Sequence, residues 1–144
     1  MKLERTGKAE WKGGLKDGKG TVSTESAVLN HAPYSFATRF ENGPGTNPEE
    51  LIAAAHAGCF TMAFSAQLEQ AGFKAESIET TAALSLEKSA DGFSIPSIHL
   101  QMTARIPNAS EDDFNKAAQA AKENCPVSKL MKATITMDAR LEKN

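Results

Sequence analysis

The sequence predicts an α+β fold in which two antiparallel β-sheets surround a long central helix, all within one domain spanning residues 1–144. Three observations lead there. A single helical pattern runs from Pro48 to about Ala71. Segments on both sides of it alternate apolar and polar residues with a period of two. Their order is a group of strands, the helix, a hairpin, a second helix and a last strand, which is not the regular alternation of a parallel sheet.

The first third reads as short strands separated by glycine turns. Leu3 to Trp11 is one, followed by the turn signals Gly13-Gly14 and Asp17-Gly18. Gly20 to Glu25 is the second and Tyr34 to Glu41 the third, together a small antiparallel sheet. On the third strand, alternation puts Phe36, Thr38 and Phe40 on one face, with Ala37 and Arg39 on the other. Arg39 stands just before the loop Asn42-Gly43-Pro44-Gly45 that feeds the long helix; an arginine so placed is most often simply solvated.

The long helix has a marked start and stop. Asn47 suits the N-cap, Pro48 the first helical position and Glu50 the position that closes a capping box. Gly72 supplies a left-handed stop, giving a length of roughly 36 Å at 1.5 Å per residue. Beyond it, Ile78, Thr80, Ala82, Leu84 and Leu86 alternate up to Asp91-Gly92, and Ile98, Leu100, Met102, Ala104 and Ile106 alternate after that turn, as two strands of a hairpin. Ser110 caps a second helix with an acidic first turn and an apolar face of Phe114, Ala117, Ala118 and Ala121. The last strand carries Ile135, Met137, Ala139 and Leu141 and is able to join the hairpin.

Composition narrows the function. A formal net charge of −2 without Lys/Arg runs argues against nucleic acid or an anionic membrane as partner. No apolar stretch is expected to span a bilayer, and Met1-Lys2-Leu3-Glu4-Arg5 lacks the apolar run of a signal peptide, so the expectation is a soluble cytoplasmic protein. The three histidines (His31, His56, His99) and two cysteines form no metal-ligand spacing, and no phosphate-binding glycine fingerprint or nucleophile elbow occurs; neither metal nor cofactor is expected.

The two cysteines differ in setting. Cys59 lies halfway along the long helix, out of reach of that helix's own dipole, so it needs a cation from elsewhere to become reactive; otherwise it is an inert core thiol. Cys125 precedes Pro126 and is expected at the N-cap of a short helix, where free N–H groups favour a thiolate; a buried, unreactive cysteine is the other outcome.

The runs Gly45-Thr46-Asn47-Pro48-Glu49-Glu50-Leu51, Ala54-Ala55-His56-Ala57-Gly58-Cys59-Phe60 and Cys125-Pro126-Val127-Ser128 resemble the OsmC/Ohr family of thiol peroxidases, and within it the OsmC branch. The likeness covers the full chain, including the Trp11 strand, the segment Gly18 to Ser26, and Pro33-Tyr34 leading to Thr38-Arg39-Phe40. It implies an intertwined homodimer of the OsmC-like fold with two active sites at the subunit interface. It also implies reduction of organic hydroperoxides, and of hydrogen peroxide less well, without a cofactor. Carried over by position, Cys59 is the peroxidatic cysteine, Cys125 the resolving one, and Arg39 and Glu49 the activating pair. A dithiol resets the Cys59–Cys125 disulfide, a lipoylated protein being one candidate donor. His56 is read as packing or interface.

Helix geometry sets a further expectation. Glu49 and Cys59 are ten residues apart, about 15 Å along a straight helix, too far for one arginine to serve both. If two copies cross antiparallel near Ala54, Glu49 of one lies beside Cys59 of the other, and the small residues Ala53, Ala54, Ala55, Ala57 and Gly58 permit a close approach; the other outcome is that this alanine run packs under a sheet of its own chain. The competing reading is a non-enzymatic dimeric protein that binds a small hydrophobic ligand through Phe36, Phe60, Met62 and Phe64. A general thiol–disulfide exchanger is disfavoured by the missing C-x-x-C motif.

Overall fold

A computed structural model describes residues 1–143, which form two compact units, 1–51 and 52–143. In the first unit, β1 (Gly7–Lys12), β2 (Lys19–Thr24) and β3 (Ala32–Tyr34) form an antiparallel sheet in the order β1-β2-β3. β1 is shorter than the alternation suggests because its partner offers six residues, in register from Gly7↔Thr24 to Lys12↔Lys19. Trp11 and Tyr34 meet over Gly20 with ring centroids 5.4 Å apart. A Cβ on Gly20 would lie 2.5 Å from Trp11 and 2.6 Å from Tyr34, so glycine is what lets the two rings settle on the sheet.

The predicted third strand is a strand and a helix. β3 ends at Tyr34, and α1 (Phe36–Phe40) begins at once. The cause is a capping box: Ser35 Oγ accepts from the Thr38 N–H at 3.3 Å, and the Ser35 N–H donates to Thr38 Oγ1 at 2.8 Å. In five residues an alternating pattern and a helical one are hard to tell apart, and the cap decides. Phe36 and Phe40 still share a face, now as an i,i+4 pair with rings 4.9 Å apart, while Thr38 turns inward and is buried.

α2 runs Pro48–Gln70, crossing from the first unit into the second. Asn47 caps it, its Oδ1 accepting from the Glu50 N–H at 2.7 Å; the Glu50 carboxylate takes the Thr46 hydroxyl at 2.7 Å in place of the expected reciprocal bond. Gly72, at φ +89°, closes a Schellman turn in which the Phe73 N–H bonds Leu68 and the Gly72 N–H bonds Glu69. Contrary to expectation, α2 is long and apolar enough, by length and composition alone, to cross a bilayer. One stripe of it, His56, Phe60, Phe64 and Leu68, is nevertheless buried in a protein core.

In the second unit, β4 (Ser77–Ser89) and β5 (Gly92–Arg105) form the predicted hairpin. α3 (Glu111–Asn124) and α4 (Pro126–Leu130) follow, and β6 (Thr134–Glu142) lies against β5. The sheet order is β4-β5-β6, and β6 runs parallel to β5, so this sheet is mixed where two antiparallel sheets were expected. The reason lies in the connection: two helices between β5 and β6 carry the chain back to the end where β5 began, which a hairpin turn cannot do. α3 starts on a Ser110–Asp113 capping box and buries Phe114, Ala117, Ala118 and Ala121 against Leu100, Met102 and Ala104 of β5 and the α2 stripe. Phe64 meets Phe114 edge-on at 5.6 Å.

Replacing Gly20 by Ala should destabilise the protein by about 1–3 kcal/mol through overpacking. It should also shift the emission of Trp11, the single tryptophan, as the ring is displaced. A thermal melt and a fluorescence spectrum of the variant check both; an unchanged spectrum contradicts this seating of the ring.

Candidate active site

The first unit holds a charged pair beside an aromatic pocket. α1 carries Arg39 in its last turn and α2 carries Glu49 in its first. The intervening loop is tied down by the Thr46 N–H to Pro33 carbonyl bond (2.9 Å) and the Asn47 Nδ2 to Thr38 carbonyl bond (3.0 Å). Arg39 Nε donates to Glu49 Oε1 at 3.0 Å and Oε2 at 3.1 Å, and Nη2 lies 3.0 Å from Oε2. The Glu49 side chain is only 12% exposed, so the carboxylate is held in one position and orients the guanidinium. Arg39 also lies over the Phe40 ring, 5.2 Å from its centroid.

That guanidinium borders a cavity of about 170 Å³ lined by Trp11, Leu15, Tyr34, Ser35, Phe36 and Phe40. Five of these six are apolar or aromatic, so the pocket suits an organic group next to a cation. A larger cavity of about 410 Å³ on this unit is lined by Glu10, Lys12, Asp17, Lys19, Thr21 and His31. It mixes charges of both signs and holds neither a thiol nor Arg39.

The second unit holds both thiols. Both cysteines are free, Cys59 half-buried on α2 and Cys125 fully buried at the N-cap of α4. They are hydrogen-bonded to each other, and the Val127 N–H donates to the Cys59 sulfur. Pro126 occupies the first position of α4, so Val127 presents one of the unsatisfied N–H groups of the helix start. The helix end expected to serve Cys125 therefore serves Cys59: Cys125 makes no side-chain capping bond.

Burial pushes the Cys59 thiol above its ordinary pKa, and so do the hydrogen bond to Cys125 and the proximity of that second sulfur; the Val127 N–H acts in the opposite direction. The sum favours the protonated thiol. None of these influences is a cation, in keeping with the expectation that a mid-helix cysteine must borrow charge.

One turn before Cys59, His56 is completely buried, its Nε2 lying 2.8 Å from Ser128 Oγ on α4. Nδ1 has no hydrogen-bond partner among the described residues. The neutral tautomer with the proton on Nε2 satisfies the one available bond and leaves a bare acceptor, whereas protonation would bury a charge with an orphan donor. Burial accordingly lowers the His56 pKa.

Of the residues read from the sequence, Arg39 and Glu49 come together in the first unit and Cys59 and Cys125 in the second. Val127 and Ser128 were not singled out. Pro126 at the start of α4 was the available signal for the Val127 N–H; for Ser128, 72 residues from His56, no local signal exists. Phe60 and Phe64 are fully buried core, which removes them from the apolar surface on which the ligand-binding alternative rested.

The fold is α+β, and its second unit brings two free thiols together. Residues 41–140 match the family of OsmC-like proteins. The chain is 52% identical over 142 residues to the peroxiredoxin OsmC of Escherichia coli, covering 99% of each. It is 36% identical over 121 residues to an organic hydroperoxide resistance protein-like protein of Staphylococcus aureus, covering 83% of this chain and 84% of that one. Among solved structures, an organic hydroperoxide resistance protein OsmC from Legionella pneumophila is similar, with a TM-score of 0.69 at 25% identity, covering 99% of this chain and 100% of that one. The chain belongs to the OsmC family and is a peroxiredoxin-like enzyme.

The buried neutral His56 sets a direction for stability against pH. Its folded pKa is depressed, so the unfolded chain binds the additional proton; the stability it contributes is complete above about pH 6.5 and is lost as pH falls toward the folded value. Urea midpoints measured from pH 7.5 down to 5.5 should fall, and His56→Gln should flatten that fall. Parallel curves for the two proteins contradict the assignment.

Proposed function

We propose that this chain is a two-cysteine peroxidase that reduces organic hydroperoxides and, less well, hydrogen peroxide. The observation that carries the reading is the contact between the free thiols of Cys59 and Cys125 within one unit. The Cys59 thiolate attacks the terminal peroxide oxygen, the O–O bond breaks, the sulfur becomes a sulfenic acid, and the alkoxide leaves as the alcohol after taking a proton. The Cys125 sulfur then attacks the Cys59 sulfur. The S–O bond breaks, and the oxygen departs as water with the thiol proton. An external dithiol, of which a lipoylated protein is one candidate, restores both thiols by exchange.

The aromatic pocket beside Arg39 supports the preference for organic peroxides, as do the relatives named for organic hydroperoxide resistance. Glu49 engages Nε and Nη2 of Arg39, and Nη1 is the edge we assign to the peroxide, where it offsets charge on the leaving oxygen and lowers the Cys59 pKa.

The active form in this proposal is an intertwined homodimer with the two units of each chain working as one domain. α2 supports it: Ala54, Ala55 and Gly58 are exposed on an apolar helix, Met62 is 78% exposed, and a Cβ on Gly58 would meet nothing within 4 Å. Two such helices crossing antiparallel cover these positions and set the Arg39–Glu49 pair of one chain beside the partner subunit's Cys59. A cytoplasmic setting, with free rather than disulfide-bonded cysteines in the resting state, fits a cycle that depends on reducing dithiols.

Reduced protein should consume cumene hydroperoxide faster than hydrogen peroxide and yield a Cys59–Cys125 disulfide by mass spectrometry. Cys59→Ser should abolish turnover, while Cys125→Ser should complete one round and stall as a sulfenic or overoxidised acid. Equal, partial losses in the two variants contradict the assigned roles.

Loss of Glu49 should cost on the order of 10²–10³ in turnover at the affected site. Heterodimers of a Glu49→Gln chain with a Cys59→Ser chain should retain one intact site and about half the wild-type rate, since both lesions then fall on the same site. Near-complete loss of activity means that Glu49 serves its own chain.

A further inference from the structure

His56 and Ser128 are buried, bonded to each other, and without a part in the chemistry above. Their positions give them one. His56 precedes Cys59 by three residues on α2, less than a turn away, so the two side chains project to neighbouring positions along the helix. Ser128 is the third residue of α4, following Cys125, Pro126 and Val127. The 2.8 Å bond between His56 Nε2 and Ser128 Oγ therefore fastens the first turn of α4 to α2 one turn from the two sulfurs. That first turn holds the Cys125 thiol and the Val127 N–H, the two groups that bond the Cys59 sulfur.

Without the bond, the placement of a five-residue helix rests on little else that is polar. The cap residue makes no side-chain capping bond, and Leu130 at its far end is 79% exposed. A lone buried serine–histidine pair is a costly way to fill a core, since each partner must be desolvated and Nδ1 is left unsatisfied. A directional bond, unlike an apolar contact, sets one register between the two helices.

We propose that the His56–Ser128 hydrogen bond is a positioning latch that holds Cys125 against Cys59, so that a sulfenic acid on Cys59 is closed to the disulfide before a second peroxide oxidises it further. The latch rests on the two-cysteine reading for its benefit to turnover, but not for its effect on the two thiols. His56 and Ser128 are positioning residues that touch neither peroxide nor sulfenic acid in this scheme. The competing fates of the sulfenic acid are well defined. Attack by Cys125 forms the S–S bond and releases water, whereas a second peroxide oxidises the sulfur to sulfinic acid and is itself reduced to the alcohol.

Two measurements on the full-length protein test the latch in Ser128→Ala, which removes one hydroxyl, and in His56→Leu and His56→Gln, the last of which keeps a donor for Ser128. The first is the cumene hydroperoxide concentration at which half of Cys59 becomes sulfinic acid during turnover. The second is the equilibrium between dithiol and Cys59–Cys125 disulfide in a glutathione buffer, where oxidised glutathione takes the electrons of the two thiols and two reduced glutathiones are released. Ser128→Ala and His56→Leu should overoxidise at about five- to tenfold lower peroxide and lower the disulfide equilibrium constant by a similar factor, as expected for one buried hydrogen bond. His56→Gln should recover most of both. Wild-type values for Ser128→Ala in the glutathione buffer overturn the proposal, as does a loss in His56→Gln as large as in His56→Leu. Should wild-type protein leave peroxide untouched, the peroxidase reading fails by itself, and the glutathione equilibrium still decides the latch. Should His56→Leu fail to fold, Ser128→Ala and His56→Gln decide it: wild-type values in the first, or losses in the second as large as in the first, overturn the latch.

Discussion

The burial of a single stripe of α2 is the constraint on which the second unit depends. Phe60, Phe64 and Leu68 recur every four residues and are almost completely buried against β5 and α3. Each such side chain removes enough apolar surface from water to contribute about 1.5–3 kcal/mol, and together they fix the rotation of the helix about its axis. With the rotation set, the neighbouring position of Cys59 at the edge of the stripe follows, half-buried and facing the start of α4. His56 continues the stripe by one turn, and there the packing changes from apolar contact to a hydrogen bond with Ser128.

The electrostatics of Cys59 follow from that placement. A sulfur at the edge of a core is desolvated, and a second sulfur beside it disfavours its charge further. One helix-start N–H opposes both and does not prevail. The sum leaves Cys59 protonated, and in the proposed cycle its ionisation falls to a positive group from outside this set. Arg39 is pinned by a carboxylate that is itself nearly buried, so its orientation is established before any ligand arrives.

The pocket beside Arg39 is a separate consequence of strand geometry. Trp11 and Tyr34 stand over Gly20, and the switch from β3 to α1 at Ser35 turns Phe36 and Phe40 onto the same side as Arg39. Had the chain continued as a strand, alternation would have sent Arg39 to the face opposite the two phenylalanines. The capping box at Ser35 thus decides that a cation and an aromatic wall coincide.

The long helix, its cap at Asn47, its stop at Gly72, the β4–β5 hairpin, the cap at Ser110 and the helix start at Pro126 were all legible in the sequence, because each depends on residues within a few positions of one another. The family was legible too, since its motifs are short and contiguous. Other features depend on groups far apart in the chain. The parallel pairing of β6 is decided by a two-helix crossover, the donation of the Val127 N–H to Cys59 rather than to Cys125 by how α4 meets α2, and the His56–Ser128 bond by residues 72 apart. Local propensity and periodicity carry no information about which sulfur a free N–H will reach; packing of the second unit alone determines that.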